Sequence, residues 1–446
     1  GYYANYDYSG ILFGSAAPSQ QHNLSVQGNA GKTQYYMSFG YDRREGLLRI
    51  NPEKRTRYTA NVNLSTQATE WLQVGARFNY TNKEFDAPYT RGGNYQYLWR
   101  WGSFFPMGYI VSEKDGKQYE TRNTYGYRVQ AGDKTNNMSN LRAGGNFKID
   151  FLPKSIKNHH FSLNADYTYT QRNTEYKGVG LSPTIMNTWS LANATTKGQE
   201  LIIDMGSSTF VETDHSTFRN HVANAYLNYN AEFANAHHLN VMFGGNLDKT
   251  NYEYLYYERH DIQDPNMPEL ALSNSDYSYT HKKSHSGSMG LFGRINYDYK
   301  GIYLLEFNAR YDASSKFPKG SQGAFFPSGS VGYRISEEAY FEKAKQYVSN
   351  LKVRASYGTI GNQEVGDGMY LETMSKKGNE VTWLGDGKSK LDYFTAPKLV
   401  DPKLTWETIA TANVGIDLGF LNNALNVTFD WFPRENKTML APGKAL

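Results

Sequence analysis

Cysteine is absent from the 446 residues, which excludes disulfides and thiolate metal sites and fits either an envelope protein that avoids thiols or a reducing cytoplasm. Apolar residues are scarce. At 39% hydrophobic content and a mean hydropathy of -0.68, no run approaches the roughly 18 apolar residues that a spanning helix needs. Charge of one sign is scarce too: 47 Lys and Arg against 43 Asp and Glu leave +4, too small a surplus to indicate nucleic acid as a partner. No basic and apolar leader opens the sequence at Gly1, so the chain reads as a mature protein or as an internal piece. Aromatic residues and glycine, by contrast, are plentiful. The 37 Tyr, 23 Phe and 41 Gly suit sheets and membrane interfaces alike.

The segment "NVGIDLGFLNNALNVTFDWF" (413–432) shows the dominant pattern. Val414, Ile416 and Leu418 alternate with Gly415, Asp417 and Gly419, and after a short turn Leu425, Val427, Phe429 and Trp431 alternate with Asn426, Thr428 and Asp430. A period of two makes this a β-hairpin with one apolar and one polar face. The pattern recurs in "HNLSVQGN", "QYYMSFGYD", "RYTANVNLS" and "WLQVGARFNYT", and again from near Ser139, His159, Phe218, His237, Ser288, Gly301, Phe325, Leu351, Leu404 and Ala424. It predicts about fourteen strands.

Connections alternate in length. Short turns are expected at "GNAGK", "TQATE", "LPKSIKN", "AEFANA", "YKGIY" and "FLNNA", a modest loop near 45–53, and long loops near 83–137, 172–216, 251–285 and 361–403. The stretch Ser336–Gln346 is predicted as a short helix with Ser336 as its N-cap and Glu337 and Glu338 in its first turn. Long loops at one end and tight turns at the other place the two ends of the sheet in different surroundings.

Charge placement decides what covers the apolar face. Arg77, Arg142, Lys148, Asp166, Arg294, Glu306, Arg310, Arg354 and Asp417 all fall on the polar side of their strands, and the apolar side carries no mid-strand charge. Tyr229, Tyr299 and Tyr303 stand at one end of the apolar rows, and Tyr41, Tyr80, Tyr169, Tyr311, Tyr357 and Trp431 at the other. Such girdles belong at the two membrane interfaces. Ala76, Ala143, Gly145, Ala223, Ala225 and Gly293 recur within the rows, where a dry sheet-on-sheet core would need volume. Lipid therefore covers this face, and a sheet in hydrocarbon pairs its backbone only by closing on itself. The expected fold is all-β: an antiparallel transmembrane β-barrel, of which these fourteen or so strands need not be the whole, with long extracellular loops and short periplasmic turns, in the outer membrane of a Gram-negative cell.

Candidate chemistry lies in two places. In the first long loop Tyr95, Tyr97, Trp99, Trp101, Phe104, Phe105 and Tyr109 offer flat faces for sugar rings or peptide side chains, with Arg100 able to meet a carboxylate; the same residues would equally serve to pack the loop. On the polar face the charged residues named above would line the lumen. The pairs His159–His160, His237–His238 and His281 with His285 lack a convergent third ligand, and Glu364 with Asp367 lacks a calcium-loop pattern. No nucleophile elbow, zinc motif or paired-acid motif appears, so no catalysis, metal or cofactor is expected. Residue patterns alone leave a passive porin or structural outer-membrane barrel open, and also a soluble secreted β-protein.

Four blocks carry a resemblance: "PSQQHNLSVQGNAGKTQYYMSFGYDRREGLL", "LFGRINYDYKGIYLLEFNARYDASSKFPKGSQGAFFPSGSVGYRISEEAYF", "LKVRASYGTIGNQEVG" and "DPKLTWETIATANVGIDLGFLNNALNVTFDWFPRENKTML". In wording and order they resemble the barrel of the SusC/RagA family of TonB-dependent outer-membrane transporters of Bacteroidota. The resemblance implies a 22-stranded barrel enclosing an N-terminal plug, a segment engaging the TonB complex, a SusD-like surface lipoprotein as lid, and import of an oligosaccharide or peptide. It also implies that Arg77, Arg142, Asp166, Arg294, Glu306, Arg310, Arg354 and Asp417 face a plug. Residues 1–446 then form part of a barrel domain; the plug, a TonB-engaging segment and about eight strands are not recognised in them. With unpaired first and last strands, this stretch alone is not expected to insert as a closed, heat-modifiable pore.

Overall fold

The computed structural model describes residues 7–49, 51–89, 111–120, 130, 132–151, 158–182, 184–190, 199–204, 209–381, 391–397 and 399–439. Fourteen strands form one meander in which each pairs antiparallel with its neighbour in the chain. They are β1 (Ser19–Ala30), β2 (Thr33–Glu45), β3 (Lys54–Gln67), β4 (Leu72–Pro88), β5 (Asp133–Asp150), β6 (His159–Gly180) and β7 (Phe210–Phe233), followed by β8 (His237–His260), β9 (Ser278–Tyr299), β10 (Tyr303–Ser314), β11 (Gly323–Arg334), β12 (Val348–Asn362), β13 (Glu407–Phe420) and β14 (Leu425–Trp431). A fifteenth, β15 (Arg434–Asn436), continues β14 along β13 in the same register. Pro433, which has no N–H to give, separates the two, while its carbonyl still accepts from the Ala412 N–H. Among the described residues β1 pairs only with β2 and β14 only with β13, so the sheet is an open arc. No described helix is long and apolar enough to cross a membrane.

Register keeps the two faces apart over the whole arc. Met37 stands opposite Val62, Val62 opposite Phe78 and Phe78 opposite Ala143; six strands on, Phe243 meets Gly293, Gly293 meets Ala309 and Ala309 meets Pro327. Because side chains alternate strictly, one such row fixes every other. Large apolar residues on this face stay exposed, among them Leu24, Phe243, Leu291, Phe307 and Phe429, as a surface made for hydrocarbon requires.

Rings at the short-turn end form a contact chain. His159 lies 6.0 Å from Tyr229 and 5.4 Å from Phe233, His237 4.8 Å from Tyr299, Tyr299 6.2 Å from Tyr303, and Tyr303 5.0 Å from Tyr333. At the other end Tyr41 and Tyr58 meet at 5.4 Å. From Tyr303 to Tyr311 is about 27 Å along the strand and roughly 20 Å along a barrel axis at the usual tilt, enough for the hydrocarbon of an outer membrane.

Two sequence expectations need correction. The strands β6 to β9 run to 22, 24, 24 and 22 residues, far beyond the roughly 9–11 that cross a bilayer. The ladder carries on where alternation gives way to polar residues, so the flanks of the first three expected long loops, 83–88 and 133–137, 172–180 and 210–216, 251–260 and 278–285, are strand, whereas the fourth keeps its length beyond Asn362. The remaining connections contain hairpins of their own, Val111–Lys114 with Lys117–Glu120, Thr184–Ser190 with Gln199–Asp204, and Lys376–Val381 with Leu391–Phe394. Second, the segment after β11 forms two 3-10 turns, Ile335–Glu337 and Ala339–Ala344, with no side-chain cap from Ser336. Glu338 breaks the helix in extended conformation because its carboxylate accepts from the hydroxyls of Tyr303 (2.5 Å) and Tyr333 (3.1 Å). A loop at residues 315–322 joins β10 to β11. Its Phe317 is fully buried against Trp406 and Phe326, with Ala324, Val365 and Leu404 around them. Most of the turn "LPKSIKN" lies outside the described residues.

Candidate functional site: the concave polar wall

The inner face of the arc carries two tiers of polar groups. In the bilayer tier the charged residues divide sharply. Arg354 on β12 reaches two acids at once: its Nη1 is 2.7 Å from Asp430 Oδ1, its Nη2 donates to Asp430 Oδ2 at 2.8 Å and its Nε to Asp417 Oδ2 at 3.2 Å. Asn413 also donates to Asp430 and Thr428 to Asp417. Gly415 makes room for this fork, since a methyl group there would sit 2.6 Å from Arg354 Cζ.

Arg310 follows the same plan. It holds Asp312 through Nε at 2.7 Å and Asn246 through Nη2 at 2.7 Å, and its guanidinium lies 5.7 Å from the Phe292 ring centre. Arg294 donates to Asn308 Oδ1 at 2.7 Å, and Asn308 in turn to Glu306 at 2.7 Å. Asp166 accepts from Asn224 at 2.9 Å, and Lys148 pairs with Asp150 at 3.1 Å. Arg77 and Arg142 have no ion pair or side-chain hydrogen bond among the described residues. Arg77, Lys148 and Asp166 line one hollow of about 930 Å³. Glu306 lines a second of about 600 Å³ beside Lys352, His160 and His238.

Replacing Gly415 by valine is expected to unseat Arg354 without deleting any charge. Because the fork is about one-third exposed, the loss should be modest, about 1–2 kcal/mol. The chemical unfolding midpoint in detergent micelles measures it, and Arg354→Ala should give a comparable shift.

The second tier stands above the bilayer, on the strand extensions that the sequence reading assigned to loops. Even-numbered residues of β6 to β8 point inward here, bringing Tyr176, Glu212, Asp214, Tyr252, Tyr254, Tyr256 and Glu258 onto one concave surface. Glu212 accepts from Tyr176 at 2.8 Å and from Tyr256 at 3.1 Å, and Tyr256 also donates to Glu258 at 2.8 Å. Arg172 lies over the Phe218 ring at 5.1 Å. Burial, reinforced by Glu212 at Tyr176 and by Glu258 and Glu212 at Tyr256, pushes both phenols well above their ordinary value. Burial, and then repulsion from Glu212, also raises the Asp214 carboxyl.

That shift fixes a sign. Between the unfolded value near 3.8 and the raised folded value the folded chain binds more protons, so stability falls as pH rises through this window and the ionised carboxylate is a standing cost above it. Asp214→Asn should therefore slow amide exchange of residues 210–217 at neutral pH and make no difference at about pH 3.

Sequence reasoning missed this tier, although the signal was present: "NYEYLYYE" places Tyr252, Tyr254 and Tyr256 at a spacing of two. The proposed aromatic binding residues Tyr95, Tyr97, Trp99, Arg100, Trp101 and Phe104 lie outside the described residues. The histidines are bound to near neighbours, His159 to Tyr229 (2.8 Å), His160 to Asp150 (3.0 Å), His237 to Tyr297 (2.7 Å) and His238 to Asp298 (2.9 Å). No group of three or more metal-capable side chains converges among the described residues.

Residues 87–440 match the family described as "TonB dependent receptor-like, beta-barrel". The TonB-dependent receptor SusC of Bacteroides thetaiotaomicron is 26% identical over 479 residues, covering 98% of this chain and 43% of its own length. TonB-dependent receptor P26 of Formosa agariphila is 25% identical over 453 residues, with 98% and 42% covered. The chain thus spans about two-fifths of these relatives. Among solved structures, the RagAB peptide importer in its open-open state superposes with a TM-score of 0.72 at 21% identity, over 98% of this chain and 45% of that one. The ferripyoverdine receptor of Pseudomonas aeruginosa gives 0.51 at 11% identity over 94% and 47%. At these identities the superpositions speak for the fold alone.

Proposed function

Since the chain belongs to the TonB dependent receptor-like beta-barrel family of the outer membrane, we propose that it forms part of the wall of an active importer for a large polar nutrient, an oligosaccharide or a peptide. The observation that carries this reading is the concave tier of Tyr176, Glu212, Asp214, Tyr252, Tyr254 and Tyr256 above the bilayer. Phenol faces stack on sugar rings or on peptide side chains, while hydroxyls and carboxylates accept the polar groups of either. A wall that rises beyond the membrane makes a vestibule, where a solute is held before it passes the polar tier below. The open edges of β1 and β14 and the two-fifths span of the relatives support a barrel completed by further strands of the same protein.

In this reading a plug fills the lumen and meets Arg77 and Arg142, whose donors have no described acceptor within the wall, as well as Asp166, Arg294, Glu306, Arg310, Arg354 and Asp417. TonB supplies the energy through the plug, and a SusD-like lipoprotein covers the vestibule. The named kinship with SusC and the fold shared with RagAB support both partners. Tyr95, Tyr97, Trp99, Arg100, Trp101 and Phe104 add contacts from the first long loop.

The test is uptake by cells carrying the triple replacement Tyr252→Ala, Tyr254→Ala and Tyr256→Ala in the whole protein. Affinity for the transported oligosaccharide or peptide should fall at least tenfold while the amount of protein in the outer membrane stays constant, stacking being worth on the order of 1 kcal/mol per ring. Unchanged affinity removes the vestibule tier from the site. Uptake that persists in cells without TonB replaces the active importer by a passive channel.

A further inference from the structure

The outward face just above the membrane takes no part in transport as proposed, yet it is not an ordinary solvated surface. On β7, β8 and β9 the outward residues stand in rows across the strands set by register. His221 lies opposite Lys249 and Lys249 opposite Gly287; two residues further out, Arg219 lies opposite Asn251 and Asn251 opposite His285. The next two rows hold Thr217, Glu253 and Lys283, then His215, Leu255 and His281. Glu253 is claimed by Lys283 at 3.0 Å and His281 at 3.1 Å. That leaves Arg219, Lys249 and His285, all exposed, with no ion pair or side-chain hydrogen bond among the described residues.

Directly below these three residues, on the same face, is an apolar trough of about 640 Å³. Its floor is made of small residues on four successive strands, Gly145, Ala165, Ala223, Ala225 and Gly245, and Leu247 and Met289 stand at its upper end. Lys249 is two residues from Leu247, about 7 Å along the strand, and Arg219 is separated from His285 by two strand spacings, roughly 10 Å. A recess for chains capped by cations free to bind a phosphate is the outline of an anionic amphiphile. Long extracellular loops put this end of the wall in the outer leaflet, where phosphorylated glycolipid is the amphiphile of that description.

We propose that this face binds a phosphorylated glycolipid of the outer leaflet, with acyl chains in the trough between Gly145 and Leu291 and a phosphate held by Arg219, Lys249 and His285. Charge complementarity selects this occupant: an uncharged partner would leave the charges of Arg219 and Lys249 unmatched, and bulk hydrocarbon fills a trough without needing a charged cap. The site depends on the outer-membrane location and not on the identity of the imported nutrient.

The experiment is mass spectrometry of lipids retained when the whole protein is extracted from outer membranes in mild detergent, with substrate affinity and heat-modifiable migration measured in parallel. The wild type should retain phosphorylated glycolipid. Retention should fall about tenfold or more in the combined Arg219→Gln, Lys249→Gln and His285→Gln variant. It should fall similarly in Ala223→Trp, which fills the trough and keeps every cation, and in both variants substrate affinity should be unchanged. If the triple variant migrates abnormally, Lys249→Glu alone is read in its place. Glycolipid retained at the wild-type level in either arm overturns the proposal, and so does a wild type that retains only glycerophospholipid.

Discussion

Phe317→Ala should release the outer rim of the wall at a local cost of about 3–5 kcal/mol, the range for deleting a buried phenyl ring. Phe317 is fully buried, and its ring centre lies 5.3 Å from that of Trp406. The contact joins the loop at 315–322 to the start of β13, and two hydrogen bonds depend on it: Trp406 Nε1 donates to the Gln322 carbonyl at 2.7 Å and Thr405 Oγ1 to the Ser321 carbonyl at 3.1 Å. On the other flank Phe326 closes over Gly361, where any side chain would collide with its ring. The other ties of the loop to the strands lie at its ends, Ser315 to Gly287 and Ser314 to Gln322, so loss of the ring should expose Lys319, between them, to trypsin on the order of a hundredfold faster. Electrophoretic migration of the unheated barrel should not change, because Phe317 lies outside the inter-strand ladders. Equal cleavage of variant and wild type would show that the cluster does not hold the rim.

Phe307→Arg should cost about 2–4 kcal/mol, the penalty for a guanidinium near the midplane on the lipid face of a barrel. Phe307 sits midway between the girdle tyrosines Tyr303 and Tyr311, opposite Ile295 and Gly329, and is 48% exposed in the bare chain. The companion Ser330→Arg, opposite Glu306 on the polar face, should cost less than about 1 kcal/mol, because its charge meets an acid and water. Unfolding in lipid bilayers measures both. The contrast carries the information: if the two variants lose stability equally, the division into lipid and lumen faces fails, and with it the glycolipid site and the importer.

Much of the bilayer tier was legible in the sequence because its determinants are local. Apolar and polar residues alternate within each strand, and "YKGIY" or "FLNNA" sets a tight turn from its own residues. The upper tier was not, for a physical reason. Above the membrane there is no hydrocarbon to demand an apolar row, so alternation fades while the backbone ladder continues. The run "NYEYLYYE" therefore reads as loop until Tyr252 is seen opposite Phe218 and Tyr256 opposite Asp214. The helix expected at Ser336–Gln346 failed similarly. Its local propensity is sound, but the hydroxyls of Tyr303 and Tyr333, which capture Glu338, come from other strands.

The sequence by itself determined the all-β class, the order of the strands, the lipid-facing row and the two aromatic girdles, since each follows from residues a few positions apart. Only the tertiary structure decided how high the wall rises and which charges are spent within it. Arg354 is neutralised by Asp430, 76 positions away, whereas Arg219 and Lys249 meet no acid among the described residues. No alternation within one strand reports that difference, because an ion pair on a sheet depends on the register between strands.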